Sequence, residues 1–479
     1  MKIIDLHAHS SLQPYGQMFK KNPSKRDLSR MSLWFYNPPK FLKGLGEKLG
    51  LSAYSQANFF SAGRGSVRVV AVSLYPPEVA FFKNKLPSFP GNGLENMITR
   101  YSADRIDEIE SGQYDYFKDI AGQYEFMQRF NQSESPNNNY NCVIAKSFED
   151  IKTATSQMDT YTIVGVLNIE GGHALGCGYP KQEKQELTPA QKKDIIEHVR
   201  TIKNWEYPIF YLTFCHHFYN QLCGHSKSLP DILSKVIDQS YGENLPLTPF
   251  GEVVIEMLLD KNEGKRILID IKHMSIDGRK RYLEMLANMK AQTGEVIPII
   301  YSHGGANSRK DYDSAINTAQ DSKLNPADLG LFDNEILAIA DSGGIIGLNV
   351  DQRVMSSEDY VKKVKRKVKF KKKDTRKKLW SSIIWNNIQY IAEVLYRNGR
   401  NSWDYMAIGS DFDGAINPVN YFLQLSDMPE LANYLQQHLE DYYQSTECIF
   451  TAEDRLDPAT VIEKICFNNA GGFMERHFV

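Results

Sequence analysis

Histidine and acidic side chains follow several short apolar runs of the sequence, and their types suit metal chemistry. The candidates stand at or just after the ends of these runs, and they are His7, His9, Glu170, His273, His303 and Asp411. Imidazole nitrogens and carboxylate oxygens are ligands that zinc and neighbouring divalent metals prefer. Because alternate residues of an extended strand share a face, His7 and His9 are expected to point the same way. Each residue alone has an ordinary structural explanation, whereas the whole set at strand ends predicts a metal site.

The apolar runs that carry these residues number eight, and they predict strands that are buried on both faces. The runs are Lys2–Leu6, Val67–Leu74, Thr162–Ile169, Pro208–Phe214, Arg266–Ile271, Val296–Tyr301, Gly344–Asn349 and Tyr405–Gly409. Amphipathic segments separate several of them, namely Gln191–Asn204, Gly251–Leu259, Gly278–Met289 and Asn334–Asp341. Strands that alternate with helices are typical of parallel βα units.

Eight βα units favour an α/β fold of the (β/α)8 TIM-barrel type with loop insertions, in which the C-terminal strand ends meet at one mouth. An open, doubly wound sheet is the alternative, because a count of strands does not decide whether the sheet closes. We expect a single barrel domain over residues 1–479, with insertions at about 10–65 and about 355–380. The first insertion is a long polar excursion that could roof the mouth. The polar stretch Ser133–Asn141 predicts a loop.

Composition and charge are those of an ordinary soluble protein, with 42% hydrophobic and 24% charged residues and a formal net charge of -2. Since no global field favours nucleic acid or a membrane, we expect neither as a partner. The six cysteines form no CxxC pair, and the N-terminus lacks the apolar stretch of a signal peptide. We therefore expect a cytoplasmic protein with free thiols. Self-association into a homo-oligomer is compatible with the sequence.

A dense basic block occupies Val361–Lys378, which reads VKKVKRKVKFKKKDTRKK. Blocks of like charge are usually solvated faces. Docking of an acidic partner or of nucleic acid is the alternative, although Phe370 is the only aromatic residue in the block.

The order of several motifs resembles that of the membrane (renal) dipeptidase family, within the amidohydrolase superfamily. The motifs are DLHAHS, NIEGGHALG, YLTFCHH, LIDIKHMS, IIYSHGGAN, GGIIGLN and IGSDFDG, and they extend from Met1 to about Gly414. The most specific are the EGGH that begins at Glu170 and the GSDFDG that begins at Gly409. The resemblance implies a metal-dependent hydrolase that cleaves the amide bond of dipeptides or similar small amides, with two divalent metal ions, usually zinc.

The resemblance also implies a role for each matching residue of this chain. His7 and His9 would bind one ion, Glu170 would bridge both, and His273 and His303 would bind the other. Asp411 would orient the water and handle its proton, which is general acid and base work. His216 would contact the scissile group and its tetrahedral intermediate. The implied catalytic residues are thus Asp411, His216 and Glu170, and the implied substrate contacts are His216 and Asp411.

Three positions depart from the family pattern. His9 stands where the family usually has an acidic residue, and Lys272 stands where it usually has Ser. Strand alternation predicts that Lys272 points away from the metals. Ser314 has the spacing of the arginine that binds the substrate carboxylate, and none of Arg309, Lys310 and Lys323 aligns cleanly with it. Hydrolysis of another small amide, lactam or ester therefore stays open, as does a non-catalytic metal-binding barrel.

Overall fold

The computed structural model describes residues 1–36, 54–82, 101–156, 161–178, 186–229, 237–315 and 323–479. Within them, eight parallel strands close into a barrel, and a ninth strand adds to its outside. The nine strands in chain order are β1 Ile3–Ala8, β2 Val67–Leu74, β3 Tyr140–Ile144, β4 Tyr161–Glu170, β5 Ile209–Thr213, β6 Leu268–Asp270, β7 Ile300–Gly304, β8 Ile345–Leu348 and β9 Met406–Ile408. The order around the barrel is β2-β1-β9-β8-β7-β6-β5-β4, and parallel pairing of β2 with β4 closes it.

All eight predicted strands are present, so the prediction of a (β/α)8 barrel is confirmed. The strands are buried along their length because helices cover the outside and side chains fill the inside; in β2 all eight residues are buried. Strand β3 was not predicted, and its first two residues fall in the stretch predicted as a loop. It pairs with the first half of β4, where only two of its five residues are buried. A strand so exposed lacks the continuous apolar run by which the others were recognised.

Helices connect the strands, and the four amphipathic segments are helical as predicted. The α-helices of the described residues are Leu12–Gln17, Lys25–Arg30, Phe59–Arg64, Ala103–Glu110, Tyr116–Phe130, Phe148–Ser156, Pro189–Lys203, Pro249–Leu259, Ile276–Thr293, Asp333–Asp341, Gln352–Met355, Glu358–Lys367, Lys373–Arg397, Met428–Gln444, Pro458–Glu463 and Asn469–His477. None of these described helices combines the length and the apolar composition that crossing a membrane requires.

The insertion after β1 is fastened to the mouth of the barrel. It contains three short helices, and residues 37–53 lie outside the described residues. The carboxylate of Asp413, which follows β9, accepts hydrogen bonds from the backbone N–H groups of Gln56 and Ala57 at 2.9 Å each, and from the side chain of Gln13 at 2.7 Å. The insertion therefore packs at the end of the barrel where the predicted site lies. That residues 1–479 form a single domain stays a prediction.

Two glycines beside Ser302 leave room for its carbonyl group, and we expect Gly409→Ala to destabilise the fold. A Cβ atom at Gly409 would lie 2.0 Å from the Ser302 oxygen, and one at Gly347 would lie 1.7 Å from it. Overpacking of this kind costs about 1–3 kcal/mol. The apparent melting temperature, measured by calorimetry, should fall by several degrees.

A matched control for this change is Gly471→Ala. Its new methyl group would lie 3.6 Å from the side chain of Ile4, an ordinary contact, within the helix Asn469–His477. Since alanine is the better helix former, this variant should melt no lower than the wild type. Equal melting temperatures for the two alanine variants would contradict the packing argument.

Candidate metal centre

The carboxylate of Glu170, the last residue of β4, lies at the centre of the barrel mouth. Its two oxygens have five imidazole Nε2 atoms within 4 Å. To Oε1 the distances are 3.5 Å from His7, 3.6 Å from His303 and 3.9 Å from His273, and to Oε2 they are 3.0 Å from His9 and 3.7 Å from His216. All of these side chains are buried. The barrel therefore converges imidazoles on one carboxylate from β1 and the residue after it, from β7, and from the turns that follow β5 and β6.

Asp411 joins this cluster from the turn after β9. Its Oδ1 lies 3.4 Å from Nε2 of His9 and 4.0 Å from Nε2 of His7. Its Oδ2 accepts a hydrogen bond of 3.3 Å from the side chain of Asn349, which follows β8. The carboxylate is thus held beside the two histidines of the first strand. The structure brings together every residue predicted for the site, while their individual roles stay predictions.

Hydrogen bonds at Nδ1 fix the orientation of three of the imidazoles. His7 Nδ1 lies 3.0 Å from the hydroxyl of Tyr211 and 3.1 Å from that of Ser73. His303 Nδ1 lies 2.7 Å from the hydroxyl of Ser302, and His216 Nδ1 lies 2.6 Å from a carboxylate oxygen of Glu78. In each ring this leaves Nε2 directed at Glu170. Metal-binding histidines are typically oriented in this way by a partner on the other ring nitrogen.

Two site residues occupy left-handed backbone conformations, His273 with φ of 67° and Asp411 with φ of 60°. Residues with a side chain rarely adopt this region, and such strain is concentrated at functional sites.

Strand β6 ends at Asp270, so the alternation that was expected to direct Lys272 away does not extend to it. The Lys272 side chain is buried, its Nζ has no hydrogen-bond partner among the described residues, and Nζ lies 5.4 Å from the centre of the Tyr301 ring.

Electrostatics keep most of these imidazoles neutral. Burial lowers the pKa of His216 to about 4, and burial together with neighbouring positive charge lowers the pKa of His273 and of His303 well below the usual value. Burial also opposes charge on Glu170, but the surrounding histidines hold its pKa well below the usual range. A deprotonated carboxylate amid neutral imidazoles is the protonation state that metal binding requires.

His9 is the exception. Burial by itself lowers its pKa, but the charge of Glu170 and the hydrogen bonds and charge of Asp411 raise it to about 10. The two carboxylates beside His9 therefore favour a positive charge at this position.

These residues fit divalent metal ions. Ligand atoms lie within 4.8 Å of one another in each of three groups, and the groups are His7 with Glu170 and His303, His7 with His9 and Asp411, and Glu170 with His216 and His273. The Nε2 atoms of His273 and His303 face each other at 3.3 Å. Since both rings are neutral and Nδ1 of His303 already has a partner, this approach suits two ligands of one cation. Overlap of the groups at Glu170 is compatible with two adjacent ions.

Glu78 is a site residue that the sequence analysis missed. Besides its contact with His216, its carboxylate accepts a hydrogen bond of 3.0 Å from the backbone N–H of Phe218 and is 3.3 Å from the hydroxyl of Tyr75. It lies four residues after the end of β2, so an acidic residue just beyond a strand end was the signal available.

Two other histidines near the motifs have partners elsewhere. His173 Nε2 lies 2.8 Å from the carbonyl oxygen of Pro76, and His217 Nδ1 lies 2.6 Å from the hydroxyl of Ser228. Of the adjacent pair His216 and His217, it is His216 whose Nε2 is directed at Glu170.

Arg309, a candidate to replace the family's substrate-binding arginine, makes its hydrogen bonds within its own loop. Arg309 donates from Nε and Nη2 to the carbonyl oxygen of Ser314 at 2.9 and 2.8 Å, and from Nη1 to Asp328. Its guanidinium is therefore committed to the loop that follows β7. Residues 316–322 of this loop lie outside the described residues.

Arg353 lies in the short helix Gln352–Met355, just after β8. It donates from Nε to both carboxylate oxygens of Asp351 at 3.0 Å each, and from Nη2 to Asp351 at 2.5 Å and to the carbonyl oxygen of Ala415 at 3.2 Å. Its Nη1 has no hydrogen-bond acceptor in the part of the chain that the structure describes. Burial lowers the pKa of Arg353, but the charge and hydrogen bonds of Asp351, together with the charge of Asp411, raise it above the usual value.

A closed parallel barrel whose mouth gathers imidazoles around a carboxylate is typical of metal-dependent hydrolases. The comparisons identify the group more closely. A model of the membrane dipeptidase family (peptidase family M19) matches residues 194–447, more than half of the chain. The chain therefore belongs to the membrane dipeptidase family, which implies a metal-dependent hydrolase.

Solved structures agree with the fold. The dipeptidase AC, a metallopeptidase of family M19, aligns with a TM-score of 0.55 at 14% identity over 100% of this chain and 99% of that one. A metallopeptidase from Rhodobacter sphaeroides, bound to a phosphinate mimic of the dipeptide L-Ala-D-Ala, aligns with a TM-score of 0.53 at 14% identity over the same shares. At this identity the likeness concerns the fold alone. No curated protein matches the sequence.

Proposed function

We propose that this chain is a dipeptidase that hydrolyses the amide bond of dipeptides or similar small amides at a binuclear metal site. The observation that carries the proposal is the convergence of five imidazole Nε2 atoms on the Glu170 carboxylate, with Asp411 beside them. Dipeptide-like substrates are supported by the family and by the dipeptide mimic bound to the Rhodobacter sphaeroides metallopeptidase.

Five residues would hold the two ions. His7 and His9 would bind one ion, His273 and His303 would bind the other, and Glu170 would bridge them. Zinc is the proposed metal, because imidazole and carboxylate ligands suit it. Divalent metal ions in such a site supply Lewis acidity, which lowers the pKa of water and polarises an amide carbonyl.

Asp411 is the proton carrier of the proposal. Its Oδ1 lies at the His7 and His9 corner of the site, while the contact of Oδ2 with Asn349 prevents the carboxylate from rotating freely. A carboxylate in this position can accept a proton from the attacking water and return it to the leaving amine.

His216 contacts the substrate in the proposal, and Glu78 sets its protonation. With Nδ1–H donated to Glu78, a neutral His216 presents an unprotonated Nε2 to the site. Donation to a substrate oxygen therefore requires the imidazolium form. The carboxylate of Glu78 stabilises that form, and so does the negative charge that develops on the oxygen during attack.

Arg353 is the proposed partner of the substrate carboxylate, in place of the family's arginine. Replacing it by alanine should lower kcat/KM for dipeptides about 10- to 100-fold, because a hydrogen bond between charged groups contributes about 1.5–3 kcal/mol. The same dipeptides with an amidated C-terminus lack the charge, and their turnover should change little. Steady-state kinetics with both substrates tests the role.

The matched comparison separates recognition from folding. Arg353 also pairs with Asp351, so a merely structural defect would lower the turnover of both substrates equally, and that result would contradict the assignment. Arg353→Lys keeps the charge but loses the planar fork, and we expect an intermediate loss.

A second candidate is hydrolysis of another small amide, a lactam or an ester, which the committed donors of Arg309 favour. A panel of dipeptides, N-acyl amino acids, lactams and lactones decides between them. Turnover of a neutral lactone with no dipeptide cleaved would reject the dipeptidase. Less than one tightly bound transition metal per chain, with no activity on addition of zinc or manganese, would instead indicate a non-catalytic barrel.

A further inference from the structure

The basic segment Val361–Lys378 lies at the end of a helical hairpin that projects from the connection after β8. The helices Glu358–Lys367 and Lys373–Arg397 form its two arms, and residues 368–372 form its tip. The hydroxyls of Tyr360 and Ser382, which lie about two and about three helical turns from the tip, are 3.1 Å apart, so the arms run side by side.

The apolar side of the hairpin is already covered. Val364 is buried, and Val361 and Val368 pack against the main hydrophobic core. Among the eighteen residues of the segment, ten are Lys, two are Arg and one, Asp374, is acidic. The face turned to solvent is therefore almost wholly cationic.

The charge of the segment is separated from that of the rest of the chain. The segment carries a net +11, and because the whole chain carries -2, all other residues together carry -13. The net charge of the whole chain is near zero, and for that reason we expected no membrane or nucleic-acid partner. The charge is nevertheless unevenly distributed, because one strongly positive hairpin is attached to an acidic domain.

Acidic side chains neutralise the base of the hairpin but leave its tip unpaired. Lys378 pairs with Asp441 at 2.7 Å, Lys377 pairs with Glu430, and Lys362 pairs with Glu358 at 3.1 Å. Eight cations have no acidic group within ion-pair distance among the described residues, and they are Lys365, Arg366, Lys367, Lys369, Lys371, Lys372, Lys373 and Arg376.

Local stability explains only part of this pattern. Lys365, Arg366 and Lys367 lie in the last turn of their helix, where cations interact favourably with the helix dipole. The lysines beyond it gain nothing from that dipole, and like charges in close spacing repel. The concentration of cations at the tip therefore opposes folding and points to a partner.

Phe370 stands at the apex between Lys369 and Lys371. Its side chain is 100% exposed, the highest exposure of the large hydrophobic residues among those described. Its backbone has φ of 60°, a conformation unusual for a residue with a side chain. An aromatic ring held in water at the end of a rigid hairpin has no role in the core.

From these observations we infer that the tip docks on the surface of a bilayer that contains anionic phospholipids. Lysines around the apex can all reach a planar layer of phosphate groups, while the Phe370 ring enters the headgroup region, which aromatic side chains favour. Nucleic acid is less favoured, because exposed bases stack on several aromatic residues, and the segment has one aromatic residue. The covered valines leave no apolar groove for a folded protein partner.

The test measures binding of the full chain to phosphatidylcholine vesicles with and without phosphatidylglycerol, by sedimentation. We expect binding only to the anionic vesicles, and weaker binding as salt is raised. Changing Lys365, Lys367, Lys369 and Lys371 together to Gln should weaken it by a few hundredfold, since each lysine near an anionic surface contributes about a fivefold factor. Phe370→Ser should weaken it about tenfold, since the ring leaves water on docking.

A matched control keeps the same change of charge but moves it elsewhere. Changing the exposed Lys25, Lys152, Lys193 and Lys290 together to Gln should leave vesicle binding within about twofold, because screening confines the interaction to nearby charges. All variants should retain the hydrolase activity of the wild type, which shows that they fold.

Equal binding of the two quadruple variants would overturn the proposal, as would equal affinity for neutral vesicles. Tighter binding to duplex DNA or to an acidic polypeptide than to the anionic vesicles would overturn it in favour of that partner.

Discussion

Asp411→Asn is expected to lose most of its turnover while it keeps the metal ions. The carboxamide is nearly the same size, and it can still contact Asn349 and the His9 corner, but it cannot accept a proton and return it. Loss of general acid and base catalysis costs about 10²- to 10⁴-fold in rate. Steady-state kinetics on a dipeptide, together with the metal content of the purified variant, tests both parts of the expectation.

A control for this variant is Asp413→Asn, the same substitution two residues away. Asp413 accepts backbone hydrogen bonds from Gln56 and Ala57 and so fastens the insertion after β1, without a place in the proposed chemistry. We expect a lower melting temperature and a smaller loss of kcat than in Asp411→Asn. Near-normal turnover in Asp411→Asn would remove Asp411 from the proton-transfer role, and loss of metal would make it a ligand instead.

The barrel was predictable because its strands are encoded locally. Strands covered on both faces need continuous apolar runs such as VRVVAVSL, and these stand out between amphipathic helices. Closure was not encoded in any one run, since it depends on pairing of Val69–Leu74 with Val164–Ile169, almost a hundred residues away. Strand β3 escaped prediction because β4 is the one described strand that it pairs with, apart from an isolated bridge to Glu134, and three of its five residues are only partly buried.

The candidate site was predictable to the extent that its residues sit at strand ends. His7, Glu170 and His303 lie within strands, so the fold carries them to the mouth. Glu78 and Arg353 lie in connections that follow strands, whose course depends on packing between distant segments, and no spacing rule places them. Lys272 shows the limit of alternation, because the strand ends before it.

The second expected result concerns Glu170→Gln, which should bind metal much more weakly and lose nearly all activity. Among the described residues, Glu170 is the one whose carboxylate lies within 4 Å of all five imidazoles, and the change removes the negative charge that two cations would share. Loss of an outer-sphere partner alone costs about 10- to 100-fold in affinity, and removal of a direct ligand should exceed that. Metal content after dialysis and calorimetric titration with zinc measure the change.

The pH dependence gives this prediction a further readout. Since the charges of Glu170 and Asp411 raise the pKa of His9 to about 10, zinc must displace a proton from His9 at neutral pH. Zinc affinity of the wild type should therefore fall as the pH is lowered, with a proton released on binding. Without the charge of Glu170 the pKa of His9 falls, and this proton release should diminish in Glu170→Gln.

Glu78→Gln is the matched control, because it alters another buried carboxylate of the same mouth. Glu78 contacts His216 and not the four histidines assigned to the metals, so its variant should keep both metal ions while its kcat falls. The contrast distinguishes loss of ligation from loss of charge in the pocket. Full metal content in Glu170→Gln, or equal metal loss in the two variants, would show that Glu170 does not bridge the ions, and the binuclear assignment would then fail.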